Sequence, residues 1–495
     1  MSLKDNSEPS AAVQPAATFE DVKSNKKLIR KIDFHVLPCL ALLYLISYVD
    51  RNTLANASIL GYKTSLNLAS DQYNIISTAF YFSYSVFEIP SQIIIQRIRP
   101  SLWLACLTAA WGLVTMLSGF TQNFGGAFAA RFCLGICEAG FFPAAMMIVS
   151  MWYPRKEIQK RVAAFYAIGI LSGSFTGLLA YAITYMDGVG NLASWRWLFI
   201  LEVNQCIPFL SFAYKRQGLA TMLLSLVVLF GLPDSPERAH WLTADERGEV
   251  IALRASVGGG HYEKEDFKWK HLRQALTDIR VACCVWLCMC TNFAVIGFSY
   301  ALPSVLVQLG YSAAKAQLMT VPIYAVSCIC VVIAAFYNDK IGKRSIGVAS
   351  GFAFGLAGLI ALYCLPKDRN PGVRYFFCMW VTAGLYAGYP SILAWCSNNA
   401  AGKGKKSMAM TIQLALGSLA VAAGNNVYLT QQAPNYQLGY GLGMAVCSSG
   451  IVVTGVLVLI LRRDNAKKEQ MDFDNHTPEQ LEEMGDKAPT YRYIL

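Results

Sequence analysis

The sequence predicts an all-α membrane protein of twelve transmembrane helices arranged as two six-helix bundles. Three observations predict it. The 495 residues are 55% apolar and only 15% charged, with a mean hydropathy of +0.38, whereas soluble domains carry about 25% charged residues. Twelve apolar runs each approach or exceed the roughly 20 residues that cross a ~30 Å hydrocarbon core. Basic residues recur on one side of those runs, the asymmetry that orients a polytopic chain. A soluble enzyme is excluded, and the net charge of +11 sits in loops and tails rather than in a nucleic-acid-binding patch.

The runs lie at 34–57, 73–95, 101–121, 126–151, 162–186, 195–232, 281–303, 317–337, 345–365, 375–400, 407–429 and 438–461. Six precede and six follow a hydrophilic stretch in which Thr243-Ala244-Asp245-Glu246 has the pattern of a capping box opening a surface helix. The organisation expected is a disordered N-terminal tail (1–30), a first bundle (31–232), a central loop (233–279), a second bundle (280–463) and a C-terminal tail (464–495). Lys23, Lys26, Lys27, Arg30 and Lys31 precede the first span, Arg97 and Arg99 follow the second, and Arg155, Lys156, Lys160 and Arg161 follow the fourth. Lys340, Lys343, Arg344, Lys403, Lys405, Lys406, Arg462 and Arg463 repeat this side in the second half. Both tails, the central loop and these basic loops are expected to be cytoplasmic, with no cleaved signal peptide. The fifteen Cys are scattered singly without zinc or disulfide spacing. No metal or cofactor is expected.

Intramembrane charges carry the chemistry, because each costs at least about 2.5 to 3.5 kcal/mol and persists mainly when paired or facing a watery cavity. Outside the sixth span they are Asp50, Arg51, Glu88, Arg131 and Glu138, all in the first half. Arg131 and Glu138 are seven residues apart, on one helix face and about 10 Å apart along its axis. Arg51 reaches a depth similar to that of Arg131, so the two could clamp a carboxylate between paired donors; backbone carbonyls or interbundle pairs could equally hold Arg131. Glu138 is the first candidate for a proton carrier, since an anion arriving at Arg131 favours its protonation. Glu88, just before Pro90, is the second, or a partner for backbone groups freed by that proline. Asp50 points about 100° away from Arg51 on the helix and serves another neighbour. An uncharged wall for the organic part of a substrate is expected from Tyr324, Tyr386, Trp395 and Asn398, with Trp380, Tyr389, Asn399, Asn292 and Gln413. Gly169, Gly173 and Gly177 form a small-residue stripe for helix packing.

Several motifs fit one family. Asp339-Lys340-Ile341-Gly342-Lys343-Arg344 stands after the eighth span, where an Asp-x-x-Gly-x-Arg loop belongs, and its counterpart after the second is Arg97-Ile98-Arg99-Pro100. Tyr48 to Ala57 on the first span, Phe87-Glu88-Ile89-Pro90-Ser91-Gln92 on the second, and Arg131 to Pro143 on the fourth add to it, as do Val321-Pro322-Ile323-Tyr324 and Ala433-Pro434-Asn435-Tyr436. Over residues 30 to 463 the chain resembles the major facilitator superfamily, and within it the anion:cation symporters of the fungal allantoate permease group. Thr53 and Gln92 stand where that group usually has Asn. The resemblance implies Arg at positions 51 and 131 for the anion and Glu at 138 for the proton. It implies a monomer in the plasma membrane that imports a small carboxylate of the allantoate, ureidosuccinate, nicotinate or vitamin type with protons, by alternating access. A uniporter or exchanger on the same scaffold, or a non-transporting nutrient sensor, is the alternative.

The sixth run departs from the rest. From Trp195 to Leu232 it would be about 57 Å as one helix, against a core of about 30 Å. Removing Val203 to Gln217 joins Trp195–Glu202 directly to Gly218, leaving an ordinary span and taking out Pro208, Lys215 and Arg216. A Val codon begins with GT and one Gln codon ends in AG, so 203–217 has the borders of an intron translated in frame. The alternative is a genuine outer loop with the span starting near Tyr214.

Overall fold

A computed structural model describes residues 26–69, 71–95, 97–153, 155–201, 225, 228, 231–232, 236, 239, 241–255, 269–365, 371–400, 403–428, 432, 436–470, 486, 488 and 491–495. The suspected insertion at 203–217 and residues 1–25 of the N-terminal tail lie outside the described residues; residues 26–30, expected in that tail, open the first helix instead. Among the described residues, ten helices are long and apolar enough to cross a membrane.

The spans are Lys26–Ile59, Gln72–Ile95, Pro100–Ser118, the pair Phe124–Glu138 and Phe141–Trp152, Arg155–Ile183, and a sixth that opens with Ser194–Leu201. The second half repeats the order with Ile279–Gln308, Ala313–Ile341, Arg344–Cys364, Pro371–Asn399, Lys403–Asn425 and Gln437–Glu469. The second span, a helix of 24 residues, is the more polar one, carrying Glu88, Gln92 and a run of Ser and Tyr. The face on which residues 26 and 469 lie is the terminal face, and the opposite one the distal face.

Local sequence explains the breaks. The fourth span is interrupted at Ala139-Gly140, four residues before Pro143, whose ring clashes with the carbonyl of residue 139. Glu138 therefore ends one helical segment at a discontinuity. The eighth span stops at Gly342, which takes φ 72°, a left-handed cap that a Cβ disfavours. The capping box is present, with the Thr243 N–H donating to Glu246 Oε2 at 3.0 Å and the Glu246 N–H to Thr243 Oγ1 at 3.3 Å. Its helix, Ala244–Ala255, is tied to the first span by Lys31 and Glu246 (2.6 Å).

The halves meet through equivalent helices. The second span packs on the eleventh and the fifth on the eighth, so the second helix of each half faces the fifth of the other. Small residues permit the second of these contacts: a Cβ at Gly173 would fall 2.6 Å from the Tyr324 ring, and one at Gly177 would meet Thr320. Gly169 is packed against Tyr44 of its own half. The glycine stripe is thus a helix-packing surface. On the distal side, Asn425 and Asn426 donate to Ser77 Oγ (3.0 Å) and Thr78 Oγ1 (2.7 Å), and Gln317 donates to the Asn56 carbonyl at 3.4 Å.

Candidate functional site

The buried charges of the first half converge around the break in the fourth span. Arg51 Nε donates to Glu138 Oε2 at 2.8 Å, and Ser47 Oγ to the same oxygen at 2.9 Å. Ser47 and Arg51 are four residues apart, one helical turn, so both face the fourth span from one stripe. The Arg51 guanidinium lies over the rings of Tyr84 (4.6 Å), Tyr48 (5.0 Å) and Phe80 (5.6 Å), a cage whose ring faces favour a cation. Glu138 is fully buried and its other oxygen, Oε1, has no hydrogen-bond partner. Leaving a buried acceptor unmade is expensive, and a proton or a donor would satisfy it.

Arg131 sits one level away. Its Nη1 donates to the Asp50 carbonyl at 3.3 Å, its guanidinium lies 5.3 Å from the Phe199 ring, and Nη2 is buried without a partner. The bond to Asp50 places Arg131 beside the residue preceding Arg51, so the two arginines share a depth. Their guanidinium groups diverge, Arg51 towards Glu138 and Arg131 towards Phe199. A backbone carbonyl therefore does hold one arm of Arg131, while the other arm remains available. Asp50 is buried at 1% exposure. Glu88 is fully buried with neither carboxyl oxygen hydrogen-bonded, so it does not cap the backbone groups freed by Pro90.

The second half contributes aromatic hydroxyls. Tyr386 OH and Ser299 Oγ are 3.1 Å apart, and Tyr324 is buried on the eighth span. Tyr300 OH donates to the Arg51 carbonyl at 2.6 Å, closing the distal side over the charged cluster. Tyr166 and Tyr389 stack across the halves with centroids 4.9 Å apart.

Trp395 and Asn398 do not join this wall. They lie more than two turns nearer the terminal face than Tyr386 on the tenth span, and the chain's C-terminal residues occupy them: Trp395 Nε1 donates to the Ile494 carbonyl at 2.9 Å, and Tyr491 OH donates to the Asn398 carbonyl. In this structure the tail takes up the Trp395 side chain and touches Asn398 through its backbone carbonyl. Trp380 is part-exposed beside Phe354 and Phe376 and faces outward. Gln413 bridges the Cys284 and Ile392 carbonyls, a helix-packing role. Ser47, Tyr48, Tyr84, Ser299 and Tyr300 were not foreseen in the site; for Ser47 and Tyr48 the signal was one turn of helical spacing from Arg51.

Two helical bundles joined by matching helices, with a buried ion pair between spans one and four and hydroxyls facing it from the other half, define a multi-pass membrane transporter. The chain belongs to the Major Facilitator Superfamily, whose profile matches residues 40–425. It is 32% identical over 488 residues to the MFS-type transporter cnsO of Penicillium expansum, covering 95% of this chain and 91% of that one. It is 26% identical to the high-affinity nicotinic acid transporter of Saccharomyces cerevisiae, covering 95% of this chain and 85% of that one. Among solved structures, a D-xylose-proton symporter shares the fold, with a TM-score of 0.60, 16% identity and coverage of 87% and 97%.

Proposed function

We propose that the protein imports a small organic carboxylate together with a proton, with both termini in the cytoplasm and the distal face outward at the plasma membrane. The observation that carries this reading is the Arg51–Glu138 pair, buried at 2.8 Å beside an unfilled carboxylate oxygen and an unfilled nitrogen on Arg131. A carboxylate substrate and Glu138 compete for the same guanidinium. A proton on Glu138 releases Arg51, and the substrate's two oxygens then take donors from Arg51 and the free arm of Arg131. Proton and anion therefore travel together, and an inside-negative potential, worth about 2.3 kcal/mol per charge per 100 mV, no longer opposes uptake. The hydroxyls of Tyr324, Tyr386 and Ser299 face the organic part of the substrate. The similarity to a nicotinic acid transporter favours a monocarboxylate such as nicotinate or allantoate; a dianion such as ureidosuccinate would need a second proton for neutral uptake.

The test is uptake of radiolabelled carboxylates, nicotinate first, in a permease-deficient yeast expressing the chain. Accumulation rises as external pH falls and collapses with a protonophore. Uptake indifferent to both treatments leaves a uniporter or exchanger.

A further inference from the structure

The terminal face of the second half carries a polar network built from five helix ends and the C-terminal residues. Asp486 places both oxygens on Lys405 Nζ (2.9 and 2.8 Å) and one 3.4 Å from Arg280, and its carbonyl accepts from Tyr493 OH at 2.7 Å and Lys468 Nζ at 2.5 Å. Asn465 and Tyr493 exchange two bonds of 2.9 Å, as neighbouring strands would. Asn399 and Ile494 exchange another pair at 3.0 and 2.8 Å, and the Arg344 N–H donates to the Leu495 carbonyl at 2.7 Å. Asp486 and Tyr493 are each 4% exposed. A buried polar network satisfied this fully fixes its members in place.

The network grips one end of a hinge. Tyr389, which stacks on Tyr166 of the other half, immediately precedes Pro390 in the tenth span. Proline withholds the N–H that would bond the Tyr386 carbonyl, so the helix can bend there. Every tenth-span residue held by the tail, Trp395, Asn398 and Asn399, lies on the terminal side of that proline. Through Asn465 and Arg344 the tail fastens this segment to the twelfth and ninth spans, and through Asp486 to the starts of the seventh and eleventh.

We propose that Asp486 and residues 491–495 act as a releasable clasp that holds the terminal part of the tenth span, and with it the Tyr166–Tyr389 stack, in the closed position of a gate on the terminal side. Undocking frees the helix beyond the unmade bond to the Tyr386 carbonyl, Tyr389 included, to swing, and this parts the two rings. The inference rests on the transporter class of the fold and is independent of the substrate proposed above.

Cys288 reports the gate. It is a buried free thiol with its sulfur 3.8 Å from Tyr389 OH, so parting the rings removes one of the groups that cover it. The purified full-length protein, its Asp486→Asn variant and a chain lacking 486–495 are treated with a maleimide, and each cysteine peptide is quantified by mass spectrometry. In the truncated chain Cys288 is alkylated about tenfold faster, the scale of one charge-assisted bond lost, and in Asp486→Asn at an intermediate rate. Exposed Cys364, at the distal end of the ninth span, reacts equally in all three. Equal Cys288 rates in all three chains overturn the proposal. So does a rise shared with Cys378, which is fully buried in the core of the second half, since that reports loosening of the whole bundle rather than of the gate.

Discussion

The two halves share one architecture and handle charge in opposite ways. The first buries Asp50, Glu88, Arg131 and Glu138, with Arg51 part-buried beside them, at mid-depth. The second keeps its matching mid-depth interior neutral, with Ser299, Tyr324, Tyr386 and Tyr389; apart from the buried Arg374 at the distal end of the tenth span, it gathers its buried charges at the terminal face, among them Asp278, Arg280, Lys405, Lys468 and Asp486. Charged groups in a low-dielectric interior persist when their pairing changes during function. Hydroxyls and rings contact a ligand without carrying charge through the cycle. On the function proposed above, the contrast gives proton coupling and carboxylate binding to the first half, and contact with the organic part of the substrate to the second.

The sharpest test of the contrast lies where the halves differ in length. The twelfth span runs unbroken from Gln437 to Glu469, whereas its counterpart, the sixth, begins at Ser194 and has an apolar run that 203–217 makes too long for one span. Its start packs among distal residues with Trp195 and Phe199, and Val228 and Leu232 are buried with the first span's Leu28 and Ile32 near the terminal face. Deleting 203–217 is expected to turn an inactive chain into an active one, and sequencing the transcript across Glu202 to Gly218 to show the shorter form. Transport by the full-length protein, with every transcript retaining the segment, defeats the idea of a retained intron.

Next in size is Glu138→Gln, which keeps the shape of the side chain and removes its proton chemistry. Accumulation driven by a pH gradient should vanish while substrate exchange persists, measured as counterflow in vesicles. If accumulation survives, coupling moves to Glu88 or Asp50, the other buried carboxyls of the first half. Arg131→Lys removes the planar fork and leaves the charge. It should raise the half-saturation concentration roughly 10- to 100-fold, the range for a charge-assisted bond of about 1.5 to 3 kcal/mol. Unchanged affinity means that Arg131 serves only the Asp50 carbonyl. The same exchange at Tyr386, to Phe, touches a neutral hydroxyl and should cost less.

What was legible in the sequence follows the same division. Hydropathy and charge placement read depth, so the spans, the two-half organisation and the five charged positions of the first half were all visible. Azimuth and distant pairing were not. Nothing in the local sequence joins Arg51 to Glu138, 87 residues apart, and an arginine clamp inferred from depth alone missed that the two guanidinium groups turn away from each other. Trp395 and Asn398 were read as a binding wall because apolar context does not tell a helix middle from a helix end. The last residues were read as a polar tail by average composition, which conceals that Tyr491, Tyr493 and Ile494 alternate with groups able to pair along two helix ends.

The smallest expected effects concern acid sensitivity at the terminal face, where the halves again differ. Asp278, outside the membrane at the start of the seventh span, is buried, which opposes its charge; the hydrogen bond from Lys405 at 2.7 Å and the Arg280 guanidinium at 3.0 Å outweigh burial and hold its carboxyl below the usual range. A folded-state value below the unfolded one stabilises the protein above the ordinary carboxylate range, and that stabilisation fades as pH falls through the depressed value. The thermal midpoint should therefore drop below about pH 4, and Asp278→Asn should lower it by about 2–4 °C at neutral pH and flatten the acid limb. In the first half, the hydrogen bond from Lys31 and the Thr243 N–H hold Glu246 low as well, with the same sign. That pair stands in solvent, however, where water and salt screen it and two long side chains must be ordered to form it. Glu246→Gln should leave the thermal midpoint unchanged at neutral pH and alter its acid limb least of all. A loss in Glu246→Gln as large as that in Asp278→Asn would mean that the loop helix Ala244–Ala255 is a structural strap of the first half, and that the terminal faces of the two halves are built alike.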